Sequence, residues 1–301
     1  MPPFIFPPYF ALDDLCAITG KACKLKVNPL QNEANTFACQ WFDSIGVCDE
    51  AWKIKFLNLG KFDLFAALSF PDADLKHLET CLMFFFWAFS TDDLSDEGAF
   101  QDSPSQVQAG HDISNAVIDS SLAMDRPSFP YAAMLYEYVH KLPSVEEFIL
   151  MRRATIGGAM VEAMVEYSLD IDLPDYVFEH STIRAMSDAT NDMMTWPNDL
   201  CSFNKEQANG DYQNLVFVIM NERRVDLQEA IDILTDMLSQ RVDDYLALKA
   251  SLPSFGSKVD HELSRYIEAL EYFTQGTVLW YYLSPSTSYA ALRLMLLRGS
   301  S

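Results

Sequence analysis

The chain has few glycines, 11 in 301 residues. Its lone Asn209-Gly210 pair follows a helical pattern, where it reads as a helix cap rather than a hairpin turn. Basic residues are also scarce: 21 Lys and Arg stand against 43 Asp and Glu, a formal charge of −22. Nucleic acids and anionic membrane surfaces both need basic patches, so neither is an expected partner. Cysteines 16, 23, 39, 48, 81 and 201 form no C-x-x-C and no zinc spacing, and read as reduced thiols. Glu137-x-x-His140 has the spacing of a di-iron pair but no second copy. Nucleophile elbows and glycine-rich phosphate loops are absent. No stretch is long enough to cross a bilayer, and Met1 to Leu12, though apolar, is broken by four prolines and lacks a basic start. The expectation is a soluble cytoplasmic protein.

What the chain does have is apolar mass and two polar motifs. Half its residues are apolar, enough for a large core, and long segments carry them at three- and four-residue spacing, the pattern of an all-α fold. The first motif is Asp92-Asp93-Leu94-Ser95-Asp96-Glu97, directly behind Leu82-Met83-Phe84-Phe85-Phe86-Trp87-Ala88-Phe89. On a helix Asp92 and Asp96 share a face, with Phe89 and Phe85 one and two turns below. Carboxylates above aromatic walls suit a hard cation such as Mg²⁺ together with a greasy substrate bearing phosphates.

The second motif is Asn198-Asp199-Leu200-Cys201-Ser202-Phe203-Asn204-Lys205-Glu206. Asn198, Ser202 and Glu206 fall at i, i+4 and i+8, one helical line of an amide oxygen, a hydroxyl and a carboxylate, all oxygen ligands. Lys205 lies close enough to that line to offer an ammonium to a phosphate. The five histidines, His77, His111, His140, His180 and His261, lie outside both motifs, so acid–base catalysis by histidine is not expected. An acidic surface repels free diphosphate and accepts it only with its cations, so charge alone favours metal dependence.

Together the two stretches resemble the D-[DE]-x-x-[DE] and N-D-x-x-S-x-x-K-E metal motifs of class I terpene synthases, in that order, with fungal, basidiomycete-like sesquiterpene synthases the nearest in pattern. Ala66-Ala67-Leu68-Ser69-Phe70-Pro71-Asp72-Ala73 is similar to the segment such enzymes carry upstream. Met151-Arg152-Arg153-Ala154-Thr155 resembles their diphosphate-sensing region. The resemblance implies a single domain over 1–301, an all-α helical bundle around a central apolar cavity. It implies three Mg²⁺ ions, with Mn²⁺ able to substitute, held by Asp92, Asp96, Asn198, Ser202 and Glu206. Arg152, Lys205 and Asn198 would bind diphosphate, with Arg153 a further candidate. Phe85, Phe89, Trp280 and Tyr281 would face an allylic cation, although plain core packing accounts for each equally well. The substrate implied is farnesyl diphosphate, with geranyl diphosphate also in reach, in a monomer or homodimer.

One element departs from that pattern. Where W-x-x-x-S-x-R-Y is expected, the chain reads Trp280-Tyr281-Tyr282-Leu283-Ser284-Pro285-Ser286-Thr287, with Ser286 and Thr287 in place of Arg and Tyr. A hydroxyl cannot replace a guanidinium's charge-assisted bonds to diphosphate. Closure is therefore expected to be weaker, with water admitted to give an alcohol. The alternative is a degenerate relative that binds prenyl diphosphate or a protein partner without turnover.

Prolines and periodicity predict helices at 37–46, 61–69, 72–91, 107–124, 131–141, 144–167, 183–207, 211–222, 226–250, 256–281 and 287–297. Gly157-Gly158 should break one of them. Pro197 should kink another, unless that helix begins at Pro197 with Trp196 as its cap.

Overall fold

A computed structural model describes residues 10–45, 50–97, 144–155, 157–208 and 213–284. The helices predicted at 107–124, 131–141 and 287–297, with Asn209-Gly210, Glu137, His140, Ser286 and Thr287, lie outside the described residues. Those described form twelve helices and no strand: α1 Leu15–Thr19, α2 Gln31–Ile45, α3 Glu50–Gly60, α4 Phe62–Ser69, α5 Leu75–Glu97, α6 Val145–Thr155, α7 Gly158–Ser168, α8 Asp175–Phe178, α9 Ser181–Ala208, α10 Leu215–Arg223, α11 Leu227–Ala250 and α12 Ser257–Leu283.

Side-chain caps explain where several of these start. Asp74 Oδ1 accepts from the His77 N–H at 3.0 Å, so α5 begins at Leu75 and leaves Pro71 and Asp72 in the preceding turn. Asn28 holds that turn, its amide donating to the carbonyls of Phe70 at 2.9 Å and Ala73 at 2.8 Å. At its other end α5 runs past position 91 to Glu97, so the acidic hexapeptide is helical throughout. Helix α2 starts at Gln31, six residues earlier than its periodicity suggests, because Asn28 Oδ1 orients the Leu30 N–H and the Leu30 carbonyl then accepts from Ala34. Helices α1, α3 and α8 were not predicted.

Gly157 separates α6 from α7 at φ +82°, a left-handed conformation that favours glycine. The 28-residue α9 runs through Pro197, so the helix does not begin there.

Helix α9 packs against α11 and α12, with α6 and α10 at its flank, while α4 lies between α5 and α12. An aromatic stack joins these last three. The Phe65 ring lies parallel to Phe85 on one side and to Trp280 on the other, each with centroids 4.4 Å apart. Phe62 stacks on Phe89 at 4.8 Å. Such pairs contribute about 0.5–1.5 kcal/mol each beyond burial. Close approach of α12 to α4 depends on Gly276, where a Cβ would come within 2.9 Å of Leu68 backbone atoms. Trp280 Nε1 then donates to the Gly60 carbonyl at 2.7 Å and Ser284 Oγ to the Leu59 carbonyl at 3.0 Å. The tryptophan and serine of the closing motif thus fix the end of α12 to the end of α3.

Candidate active site

Arg152 sits in the last turn of α6. That helix is started by a reciprocal cap in which the Glu147 carboxylate accepts from the Ser144 N–H and Ser144 Oγ accepts from the Glu147 N–H. Glu222 of α10 accepts from the Val145 N–H at 2.6 Å. Anchored this way, α6 presents Arg152 to the middle of α9. Its Nη2 donates to Asp199 Oδ1 at 2.8 Å and to Asn198 Oδ1 at 3.2 Å. The diphosphate-sensing candidate and the first residue of the second metal motif, 46 positions apart, are therefore in direct contact.

Asp199 organises this junction. It is 0% exposed. Its Oδ2 accepts from the Leu215 N–H at 3.2 Å, and its carbonyl accepts from Asn214 Nδ2 at 2.7 Å. The same Asn214 amide donates to Glu206 Oε2 at 2.9 Å, and its Oδ1 caps α10 by accepting from the Val216 N–H. Burial pushes the Asp199 carboxyl up to about 7, opposed by the Arg152 guanidinium and reinforced by the nearby Glu206. Neither Asp199 nor Asn214 had been singled out for a role. Asp199 is a fixed letter of the motif, which was signal enough; Asn214 shows only as a capping residue before an apolar run.

Ser202 is buried, and its Oγ donates to the Asn198 carbonyl at 2.8 Å, so its lone pairs remain to accept or to ligate. Asn198, Ser202 and Glu206 all lie on the continuous α9, as their spacing requires. An amide oxygen, a hydroxyl oxygen whose proton is already committed and a carboxylate make a donor set that fits a hard divalent cation. Asp92 and Asp96 occupy the last turns of α5, one turn apart. Lys205 is exposed on the last turn of α9.

Arg153 is placed elsewhere. It forms a two-point pair with Asp192, at 2.8 Å and 2.5 Å, and lies 3.3 Å from Asp188. Asp192 also pairs with Arg241 of α11 at 2.6 Å. This cluster ties α6, α9 and α11 together and keeps Arg153 out of the Arg152 junction.

Of the four aromatic candidates, Phe85, Phe89 and Trp280 belong to the stack around Phe65. Tyr281 differs. It is buried, its hydroxyl hydrogen-bonds with Asn198, and Arg152 and Asp199 lie close by; burial pushes its phenol up. It therefore belongs to the polar junction as much as to the apolar wall.

Residues 133–244 match the family described as terpene synthase family 2, C-terminal metal binding. Sesquiterpene synthase Agr1 of Cyclocybe aegerita is 38% identical over 139 residues, 46% of this chain and 40% of that protein. Alpha-muurolene synthase of Coprinopsis cinerea is 37% identical over 139 residues, 46% of this chain and 33% of that protein. The chain thus spans two fifths or less of the length of these two curated relatives. Among solved structures, a-eudesmol synthase superposes with a TM-score of 0.67 at 17% identity, covering 92% of this chain and 100% of that one, which shows a shared fold. Residues 133–244 are thus similar to the metal-binding region of terpene synthases, and the fold is shared with a-eudesmol synthase.

Proposed function

We propose that the chain is a Mg²⁺-dependent sesquiterpene synthase that ionises farnesyl diphosphate, with geranyl diphosphate as a second substrate, to a terpene hydrocarbon or alcohol plus diphosphate. The contact of Arg152 with Asn198 and Asp199 carries this reading, because it sets an anion-binding guanidinium beside the oxygen donors of the second metal motif. Fungal sesquiterpene synthases among the relatives support the substrate class. We further propose one domain over 1–301 and a cytoplasmic location. Among the described residues no helix is long and apolar enough to cross a membrane.

Asn198, Ser202 and Glu206 would hold one Mg²⁺, and Asp92 with Asp96 would hold the others. Bound there, the metal supplies positive charge to the diphosphate as it leaves. Arg152 would turn its guanidinium from Asn198 to the diphosphate oxygens while Asp199 keeps hold of it, and Lys205 would add a second cation. When the ester C–O bond breaks, its electron pair goes to the departing diphosphate, leaving an allylic cation on the hydrocarbon. Phe85, Phe89, Trp280 and the ring of Tyr281 would offer that cation polarizable faces, with the Tyr281 hydroxyl held by Asn198.

The test is to incubate the purified protein with Mg²⁺ and, separately, geranyl, farnesyl and geranylgeranyl diphosphate, then analyse extracts by gas chromatography with mass detection. A product from farnesyl diphosphate that disappears with Asn198→Ala is expected. Binding of the diphosphate without any product would contradict the proposal and favour a non-catalytic relative.

A further inference from the structure

A cavity of about 300 Å³ lies between α7, α8, the first half of α9, α11 and α12. Its wall residue Met186 stands twelve positions before Asn198 on α9, which at 1.5 Å per residue is about 18 Å of helix. The cavity is therefore separate from the Arg152 junction. Phe178, Ile183, Met186, Ile267 and Leu270 make its lining largely apolar.

Polar groups interrupt that lining, with Arg184 and Asp188 at its exposed edge and Glu162, Ser187, Tyr245 and Tyr266 further in. Glu162 accepts from Ser187 Oγ on the wall. Tyr266 is 3% exposed, sets its ring edge-on to Phe178 with centroids 5.5 Å apart, and has a buried hydroxyl with no hydrogen-bond partner among the described residues. Tyr245, the other phenol of the lining, is committed, donating to Glu271 at 2.9 Å. A buried hydroxyl left without a partner costs stability that a phenylalanine in the same place would not. Among the described residues nothing accounts for an oxygen at position 266.

We infer that this cavity binds a small lipophilic alcohol, with its hydrocarbon body on Phe178, Ile183, Met186 and Leu270 and its hydroxyl between Tyr266 and Glu162. An alcohol both accepts and donates, so it takes the Tyr266 proton in a hydrogen bond and gives its own to the Glu162 carboxyl. A plain hydrocarbon leaves Tyr266 unmet. A phosphate or carboxylate would face Glu162 inside the cavity, while at the exposed edge Arg184 and Asp188 offset each other. Lining and volume suit a small-molecule pocket with few polar groups. The inference goes beyond the proposed reaction and needs neither metal nor turnover.

Isothermal titration calorimetry of the metal-free full chain with geraniol, and with the corresponding diene lacking the hydroxyl, tests it. Tyr266→Phe should weaken geraniol binding about tenfold, the loss of one hydrogen bond, while leaving the diene unchanged. The same variant should unfold no earlier than wild type on heating, since it removes an unmet polar group. Equal geraniol affinity in wild type and Tyr266→Phe overturns the site, as would uptake of the alcohol beside Trp280 instead, which this variant would not affect. As a second arm, Phe178→Trp places a fluorophore on the wall. Its emission should shift when geraniol is added, and an unchanged spectrum would also overturn the assignment.

Discussion

Asp199 pairs with Arg152 while fully buried, and such pairs cost more to break than they contribute when intact, because the surviving charge is left without compensation. Asp199→Ala should therefore destabilise the protein by about 3–5 kcal/mol in urea unfolding at pH 8. The pH dependence has a defined sign. The folded carboxyl titrates near 7, above its ordinary value near 4, so between these values the folded chain binds more protons than the unfolded one. This group's contribution to stability accordingly rises as pH falls from about 7 towards 4 and is flat above that window. In metal-free protein the gap between wild type and Asp199→Ala should widen over that range; a narrowing gap would mean the carboxylate is held with a lowered pKa. The separate residues were legible in the sequence, Arg152 from one motif and Asn198 from another. Their contact through Asp199 was not, since no local pattern records which carboxylate a buried guanidinium meets. Arg153 makes the same point, for adjacent arginines at the end of α6 go to different carboxylates according to their direction around the helix.

Among the elements, α4 sits at the centre of the aromatic stack. Phe65 lies between Phe85 of α5 and Trp280 of α12, so one side chain couples the three helices. Phe65→Ala should cost about 3–5 kcal/mol in equilibrium unfolding, the range for deleting a buried aromatic ring. A loss below about 1 kcal/mol would show that the stack collapses around the gap. Gly276→Ala should also lower the melting temperature, because its Cβ would meet Leu68 backbone that cannot rotate aside. Long periodic helices such as α9, α11 and α12 were readable from spacing to within a few residues. Helix α3 was missed, as its alternating lysines and apolar residues hide the face on which Trp52 and Phe56 stack, with centroids 4.7 Å apart. The starts of α2 and α5 depend on the side chains of Asn28 and Asp74, which act through hydrogen bonds that periodicity does not register.

Across the whole molecule 21 basic residues stand against 43 acidic ones, and among the described residues Arg152 touches the second metal motif. An acidic protein that handles diphosphate must concentrate positive charge locally, through bound cations and through that guanidinium. The most direct test is the rate of diphosphate release from farnesyl diphosphate with saturating Mg²⁺, in wild type and in Arg152→Ala. Loss of a charge-assisted hydrogen bond of about 1.5–3 kcal/mol to the departing anion predicts a rate roughly ten- to a hundredfold lower in the variant, with none from either protein when Mg²⁺ is chelated. Equal rates in the two proteins, or release that persists without metal, would contradict the account.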